Sequence, residues 1–413
     1  MRAVRAEYFF AYAVSGSVLP YLPIYFHELG LTDQEIGYVF STTGLAVLVT
    51  PGLLTLLADM RMDSRRLLAG AFAVSAAAFV ALLFTRGFWS IFLAHSLFSL
   101  AFVPIYALLD GLTFAAQERR AADGQRTIAY HHIRVFGTIG FIAPSLLLYV
   151  LLTFGAPIAV SLVTAIVLAL LGTVTTVYLP KVQPAPAPAA DATFEPAASE
   201  ATADEAVAAE WPTVSALRSM LSPHVAVFCV GMWMLHMAVS AYYAFFPLYL
   251  TQTVGIEAQW VGLVINLGVV IEIFFVLGFG RMLDRLGVAG LMTLGAAATA
   301  VRFAMMFLMP TVAVAVASQA MHGLLVLAVH VVPPVYLNQQ AKNHYRNSMQ
   351  GLYVMSVTGT GRIAGNVVSG HLASASIGGL FGFAGALCAV AAVLFGSIFS
   401  ARHRKAGVRA ATG

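Results

Sequence analysis

Charge is scarce in this chain. Of 413 residues, 22 are Lys or Arg and 18 are Asp or Glu, so only 10% are charged. Soluble domains carry roughly a quarter. A water-soluble fold is thereby excluded, because too little polar surface exists to cover a core of this size. Cysteine is nearly absent too. Cys229 and Cys388 both fall within apolar stretches, so no disulfide framework and no metal-ligand spacing can be built. There is no glycine-rich phosphate loop, no nucleophile–base arrangement and no His/Cys/Asp/Glu cluster. The sequence therefore predicts a non-enzyme without metal or cofactor, and offers no support for ATP-driven work. A formal charge of +4 and a pI near 9.1 raise the question of nucleic acid. The basic residues instead lie in short runs between apolar segments, which excludes a nucleic-acid face. The first apolar stretch runs on into further ones without a small-residue cleavage site, so no removable signal peptide is expected.

What is abundant is hydrophobic sequence, 60% of the chain. Spanning a bilayer takes roughly 20 apolar residues in a helix, the form that satisfies its own backbone in lipid. Twelve such stretches are predicted: 6–27, 36–58, 66–85, 88–116, 127–152, 157–180, 222–250, 258–280, 286–309, 311–338, 346–371 and 375–400. One set of connections holds Arg2 and Arg5, Arg61, Arg65 and Arg66, Arg119, Arg120 and Arg126, Lys181 and Arg218, Arg281 and Arg285, Lys342 and Arg346, and the basic tail from Arg402; the other set holds only Arg86. Positive loops face the cytoplasm. The expectation is a multi-pass bacterial-type inner-membrane protein with both termini cytoplasmic.

The pattern breaks at 181–210, an Ala/Pro-rich run carrying Asp191, Glu195, Glu200, Asp204, Glu205 and Glu210. Such a segment cannot bury a core, and a disordered cytoplasmic tether is predicted there. It separates residues 1–180 from residues 211–413, and these halves repeat. Pro23-Ile24-Tyr25-Phe26 corresponds to Pro247-Leu248-Tyr249-Leu250, Gly30-Leu31 to Gly255-Ile256, and Asp59 to Asp284. The fold class predicted is an all-α membrane protein of two pseudo-symmetric six-helix halves, the design that suits a site between halves at mid-membrane.

Gly280-Arg281-Met282-Leu283-Asp284-Arg285-Leu286-Gly287 resembles the G-x-x-x-D-R-x-G loop motif of the major facilitator superfamily. In the first half only Leu57-Ala58-Asp59 of that motif is kept; Thr55 and Met62 stand where glycines are usual. Within the superfamily, Ile36-Gly37-Tyr38-Val39-Phe40-Ser41, the run Ile133-Arg134-Val135-Phe136-Gly137-Thr138-Ile139-Gly140-Phe141-Ile142, Val301-Arg302-Phe303-Ala304 and Ser348-Met349-Gln350-Gly351 resemble the nucleoside:proton symporter family. The wider group includes the lactose permease and the arylpropionate permeases. The resemblance implies proton-coupled uptake of a small organic solute by a monomer through alternating access. It ranks nucleosides first, then aryl carboxylates and sugars; a drug exporter on the same fold is the alternative. It also implies gating or structural roles for Asp59, Gly280, Asp284, Arg285 and Gly287.

Charges inside spans carry the chemistry. Each costs roughly 2.5–3.5 kcal/mol at mid-membrane, so each should be paired or face water. These residues are Asp110, Arg134, Glu272, Arg302 and Arg362. Counting from the basic loops at 1.5 Å per residue, the first three sit about 12–14 Å deep and the last two about 24–26 Å deep. Arg134, Thr138 and Phe141 share one helical stripe, as do His236, Ser240 and Tyr243. By resemblance, Arg134, Thr138, Phe141 and Glu272 belong to the substrate site, with Arg134 held by Asp110. Glu272 is also the candidate proton carrier, assisted by Asp110 and His330. Ser240 and Tyr243 stand where the symporters carry amides, and Val269 and Leu327 replace further polar groups. Several readings stay open here: Arg302 as coupling or structural, His330 as relay or packing, Arg362 as an anion receptor or a snorkelling side chain.

Overall fold

The computed structural model describes residues 1–59, 63–180, 211–342 and 345–411, without side-chain surroundings for 51, 54–59, 131 and 399–411. The tether expected at 181–210 and the side chain of Asp59 lie outside that description. Nine helices among the described residues are long and apolar enough to cross a bilayer. One of them, Ala258–Leu308, holds two spans, because Gly287 breaks it at φ 64, ψ 176. Only glycine enters that region without strain. Two more helical stretches complete twelve, Asp33–Asp59 and the succession Arg346–Tyr353, Val354–Gly359 and Thr360–Ala375.

In chain order, α1 is Arg2–Glu28, α2 Asp33–Asp59, α3 Ser64–Phe84, α4 Phe88–Ala122, α5 His131–Thr153 and α6 Val160–Tyr178. In the second half, α7 is Pro223–Thr253, α8 and α9 are the two arms of Ala258–Leu308, α10 is Val312–Gln340, α11 begins at Arg346 and ends at Ala375, and α12 is Ile377–Ala411. The second half also contains all the π-helical turns among the described residues, at Tyr249–Thr253, Leu327–Val331 and Val354–Gly359.

The internal repeat has a direct structural counterpart. Helix α1 packs on α5 and α6, α2 on α4, and α3 on α4 and α6; α7 packs on α11 and α12, and α9 on α10 and α12. Gly30 and Gly255 turn the chain after the first span of each half with φ 85 and 81. Equivalent tyrosines then brace equivalent helices. The Tyr25 hydroxyl donates to the Leu82 carbonyl at 3.0 Å, and the Tyr249 hydroxyl donates to the Met306 carbonyl at 2.7 Å.

Two main seams join the halves, α2 against α11 and α5 against α8, with a smaller contact of α1 on α7. Both are built on glycine, which lets helix backbones approach closely. A Cβ on Gly37 would lie 2.6 Å from the Asn366 carbonyl oxygen and 2.8 Å from the Gly370 Cα. One on Gly262 would press on the Tyr21 hydroxyl and lie 2.9 Å from Ser145 Oγ. These contacts belong to the end of the bundle away from the arginine-rich loops. At the basic end, Gly280 continues the stripe of Gly262 and Asn266 on α8, yet among the described residues nothing lies within 4 Å of its Cβ position. Gly52 on α2 is equally open. Among the described residues the halves therefore touch at one end and show no contact at these two positions of the basic end, and we take the space between them as a central cavity opening there.

Candidate functional site

The helical repeat decides which side chains reach the cavity. On α8, Leu267, Val270, Phe274 and Leu277 face outward, with Phe274 71% exposed. At about 100° per residue, Glu272 lies on the reverse side. Val135, Ile139 and Leu146 are the exposed face of α5, and half-buried Arg134, Thr138 and Phe141 turn inward. On α11, Gly359, Ile363 and Asn366 meet α2, whereas Gly361 and Gly365 meet α7. Arg362 lies between those two contact faces and so points into the bundle.

In the first half, aromatic hydroxyls organise the charges. Tyr8 and Tyr130 both donate to Asp110 Oδ1, Tyr130 at 2.8 Å. The Arg134 guanidinium lies over the Tyr12 ring, 4.0 Å from its centroid. Tyr12 packs in turn on Tyr106, whose hydroxyl shares a 2.5 Å hydrogen bond with Ser15. The expected Asp110–Arg134 ion pair is not formed. Two tyrosines satisfy the carboxylate, and a π face supports the guanidinium. Gly137 permits this, since a Cβ there would sit 2.7 Å from both Arg134 Nη1 and the Tyr12 ring. The donors of Arg134 are left for other partners, and its charge is near enough to act on Glu272 across the cavity.

In the second half, Glu272 faces a buried polar chain. Its Oε2 lies 3.8 Å from His322 Nε2. His322 Nδ1 is 3.0 Å from Arg302 Nη1. Guanidinium can only donate, so Nδ1 must accept and Nε2 carries the hydrogen directed at Glu272. Arg302 Nη2 donates to Gln319 Oε1 at 2.9 Å, and the Tyr242 hydroxyl donates to the same oxygen at 3.3 Å. Arg302 is 0% exposed and lies 4.3 Å from the centroid of Tyr242. Gly268 makes room, its Cβ position being 2.6 Å from Gln319 Oε1.

His322 and Gln319 were not singled out in the sequence. They stand three residues apart on α10, on one helical face, and that spacing was the available signal. Glu7 was missed as well. It is fully buried on α1 and accepts from Thr175 Oγ1 at 2.7 Å. Its place six residues from the chain start made it read as a flanking charge.

The remaining expected residues divide. Tyr243 is half-buried, packed edge-on to Tyr242, and close to both Glu272 and Arg362. His330 is exposed and within reach of the Arg362 charge. Ser240 does not line the cavity. Its hydroxyl donates to the His236 carbonyl at 2.9 Å, and Gly365 presses on its Cβ. The expected common level of Arg302 and Arg362 also needs correction. Glu272 is 14 residues after Ala258, Arg362 is 13 before Ala375, and Arg302 is only six before Leu308. Arg362 thus lies level with Glu272, about 20 Å from the closed end, and Arg302 lies about 9 Å from it. Asp284 and Arg285 are exposed beside the Gly287 break, at the basic end where the halves have parted.

The profile of the MFS_1 like family matches residues 2–383. The chain belongs to that family. Among relatives of this MFS_1 like protein is YegT of Escherichia coli (strain K12), which bears a provisional nucleoside-transporter name. It is 27% identical over 369 residues, covering 84% of this chain and 78% of YegT. Xanthosine permease of the same organism is 31% identical over 139 residues, 32% of each chain. Solved structures agree on the fold. A single-residue mutant of the nucleoside transporter NupG superposes with a TM-score of 0.83 at 20% identity, covering 96% of this chain and 99% of that one. A peptide transporter, POT, superposes with a TM-score of 0.71 at 14% identity, covering 96% and 93%. This MFS_1 like chain is therefore a multi-pass membrane transporter of small molecules, not an enzyme. Among its described residues no three His, Cys, Asp or Glu gather as a metal-ligand set.

Proposed function

We propose that this protein takes up nucleosides together with protons, by alternating access between residues 1–180 and 211–413. The observation that carries this is the central constellation: Arg134, Glu272 and Arg362, brought by three different helices toward the space between the halves, with Tyr12 under Arg134, Tyr243 near Glu272 and Arg362, and Phe141 on the inward face of α5. A nucleoside has a flat ring for the aromatics, carbonyl acceptors for the guanidiniums and ribose hydroxyl donors for a carboxylate. The names of YegT, xanthosine permease and NupG support the same substrate class.

Glu272 is the proton carrier in this reading. A charge at mid-membrane is costly, and a proton removes that cost when the carboxylate must cross a closed state. Protonation drives transport only by favouring one facing state over the other. The His322–Arg302–Gln319 chain is the means, since its hydrogen at Nε2 is directed at an ionised Glu272 and loses that attraction once the proton binds. Asp110, fixed by two tyrosines, has a positioning role in the first half, and His330 is a secondary proton acceptor. Asp59, Gly280, Asp284, Arg285 and Gly287 govern closure of the basic end. With basic loops inside, the cavity faces the cytoplasm of a monomer in the inner membrane.

The test is uptake of radiolabelled nucleoside into proteoliposomes with an imposed inward proton gradient. Accumulation abolished by dissipating the gradient, and lost in Arg134→Ala, is expected. Binding of nucleoside without flux, or export that confers drug resistance, would overturn it.

A further inference from the structure

Arg362 belongs to the central constellation, yet no particular contact has so far been assigned to it. Arg302 has His322 and Gln319 as acceptors, and Arg134 has the Tyr12 face beneath it and the Glu272 charge opposite. Arg362 has neither a hydrogen bond nor an ion pair among the described residues. Near it stand Tyr243, Tyr353, His236 and His330, from α7, α10 and α11, and among the described residues no carboxylate pairs with it. Two of these neighbours are already engaged with one another. His236 Nε2 is 3.3 Å from the Tyr353 hydroxyl and 3.0 Å from Thr358 Oγ1. The result is a guanidinium fork without a protein partner among the described residues, held inside the bundle at the level of Glu272, with aromatic side chains of three helices near it.

Resting on the nucleoside reading, we propose that Arg362 recognises the base and selects 6-oxopurine nucleosides over adenosine. The two sides of the site have opposite hydrogen-bonding character. Ionised Glu272 only accepts, so it suits the ribose hydroxyls. Arg362 only donates, and its two parallel N–H groups match two adjacent acceptors. A 6-oxopurine presents such a pair, O6 and N7, and arginine is the side chain that reads it bidentately. Adenosine places an amino donor at the same position, against a cation that cannot accept. The aromatic neighbours stack on any purine and so contribute affinity without discrimination. Arg362 is accordingly a specificity residue of the substrate site, with hypoxanthine, guanine and xanthine nucleosides as its class.

Inosine and adenosine differ at position 6 and in the hydrogen on N1, and only the first of these changes the O6/N7 edge that Arg362 would read. Binding of each to the purified full-length protein would be measured by thermal shift and by competition, on wild type, Arg362→Gln and Arg362→Lys. Losing a charged bidentate contact predicts about 10- to 100-fold weaker binding of adenosine than of inosine on wild type. Glutamine pairs with the N6/N7 edge of adenine, so Arg362→Gln should reverse the preference, a gain that a misfolded variant could not give. Arg362→Lys should keep the order with a smaller ratio. Equal affinity of wild type for the two nucleosides overturns the inference and leaves nucleoside transport standing. So does loss of both ligands alike in two variants that still elute as folded protein. If neither nucleoside binds but an aryl carboxylate does, the proposed function falls and the inference with it.

Discussion

A methyl group added at Gly37 tests whether the closed end is held by backbone contact alone. In the α2–α11 seam the Gly37 Cβ position faces the Asn366 carbonyl oxygen at 2.6 Å, the Gly370 Cα at 2.8 Å and the Gly370 nitrogen at 3.0 Å. All three are backbone atoms of α11, so no side chain can rotate away. The helices must separate, or the seam must bear the clash. Overpacking of this kind costs about 1–3 kcal/mol. The cost falls only on the state in which this seam is closed, so it shifts the facing equilibrium by about 5- to 150-fold. The reporter belongs on the other seam. Ser145 is fully buried where α5 meets α8 and Gly262. In a background without Cys229 and Cys388, Ser145→Cys would be labelled from the closed side by a membrane-impermeant maleimide. Gly37→Ala should raise that labelling rate several-fold, because the two seams open as one rigid motion. An unchanged rate in well-folded protein would refute both the rigid coupling and the weight given to the glycine contact.

Other consequences can be checked separately. Glu272→Gln should retain nucleoside exchange across vesicles while losing uphill uptake driven by a proton gradient; unaltered pH-driven uptake would remove Glu272 from the coupling role. Arg302→Ala should lower stability by about 3–5 kcal/mol, read as thermal unfolding in detergent, because it empties buried volume and orphans His322 and Gln319. Arg302→Lys should cost less, keeping a charge but not the fork. At the start of α3, Arg65 holds the Asp63 carboxyl below its usual range through hydrogen bonds, and Asp63 also caps α3 through the Arg65 amide at 3.0 Å. The group's folded value is depressed, so its small stabilisation is present above the ordinary carboxylate range. It should disappear as pH falls through that depressed value, and Asp63→Asn should flatten this part of the melting-temperature profile.

The fold was legible because bilayer physics leaves few alternatives: apolar length located the spans and arginine located their ends. Gly287 shows how sparse the signal can be. Spans eight and nine were separable only by a basic loop motif, and the structure separates them by a single left-handed residue. The inward faces of α5, α8 and α11 also follow from periodicity. What could not be read was partnership across helices. Asp110 and Arg134 lie on adjacent spans at similar depth, so opposite charges suggested a pair. The tyrosines that intervene come from α1 and from the start of α5, and aromatic residues abound in any span. Ser240 sat on the right stripe of α7, but its neighbour across the contact is Gly365, whose absent side chain pulls α11 onto it.

The π-helical turns have one more bearing on this protein. A π turn absorbs an additional residue within a continuous helix, which makes it a phase shifter: side chains beyond it are rotated relative to those before. Two of these turns lie beside cavity residues, Leu327–Val331 containing His330 and Val354–Gly359 ending three residues before Arg362. The azimuth of Arg362 is thus set by the local winding of α11 as well as by its sequence number. Relaxing Val354–Gly359 to ordinary α geometry would swing the guanidinium toward a contact face without moving the helix axis. Rewinding of one turn is a motion far smaller than rocking of the halves, and it would suffice to present or withdraw a charge from the cavity.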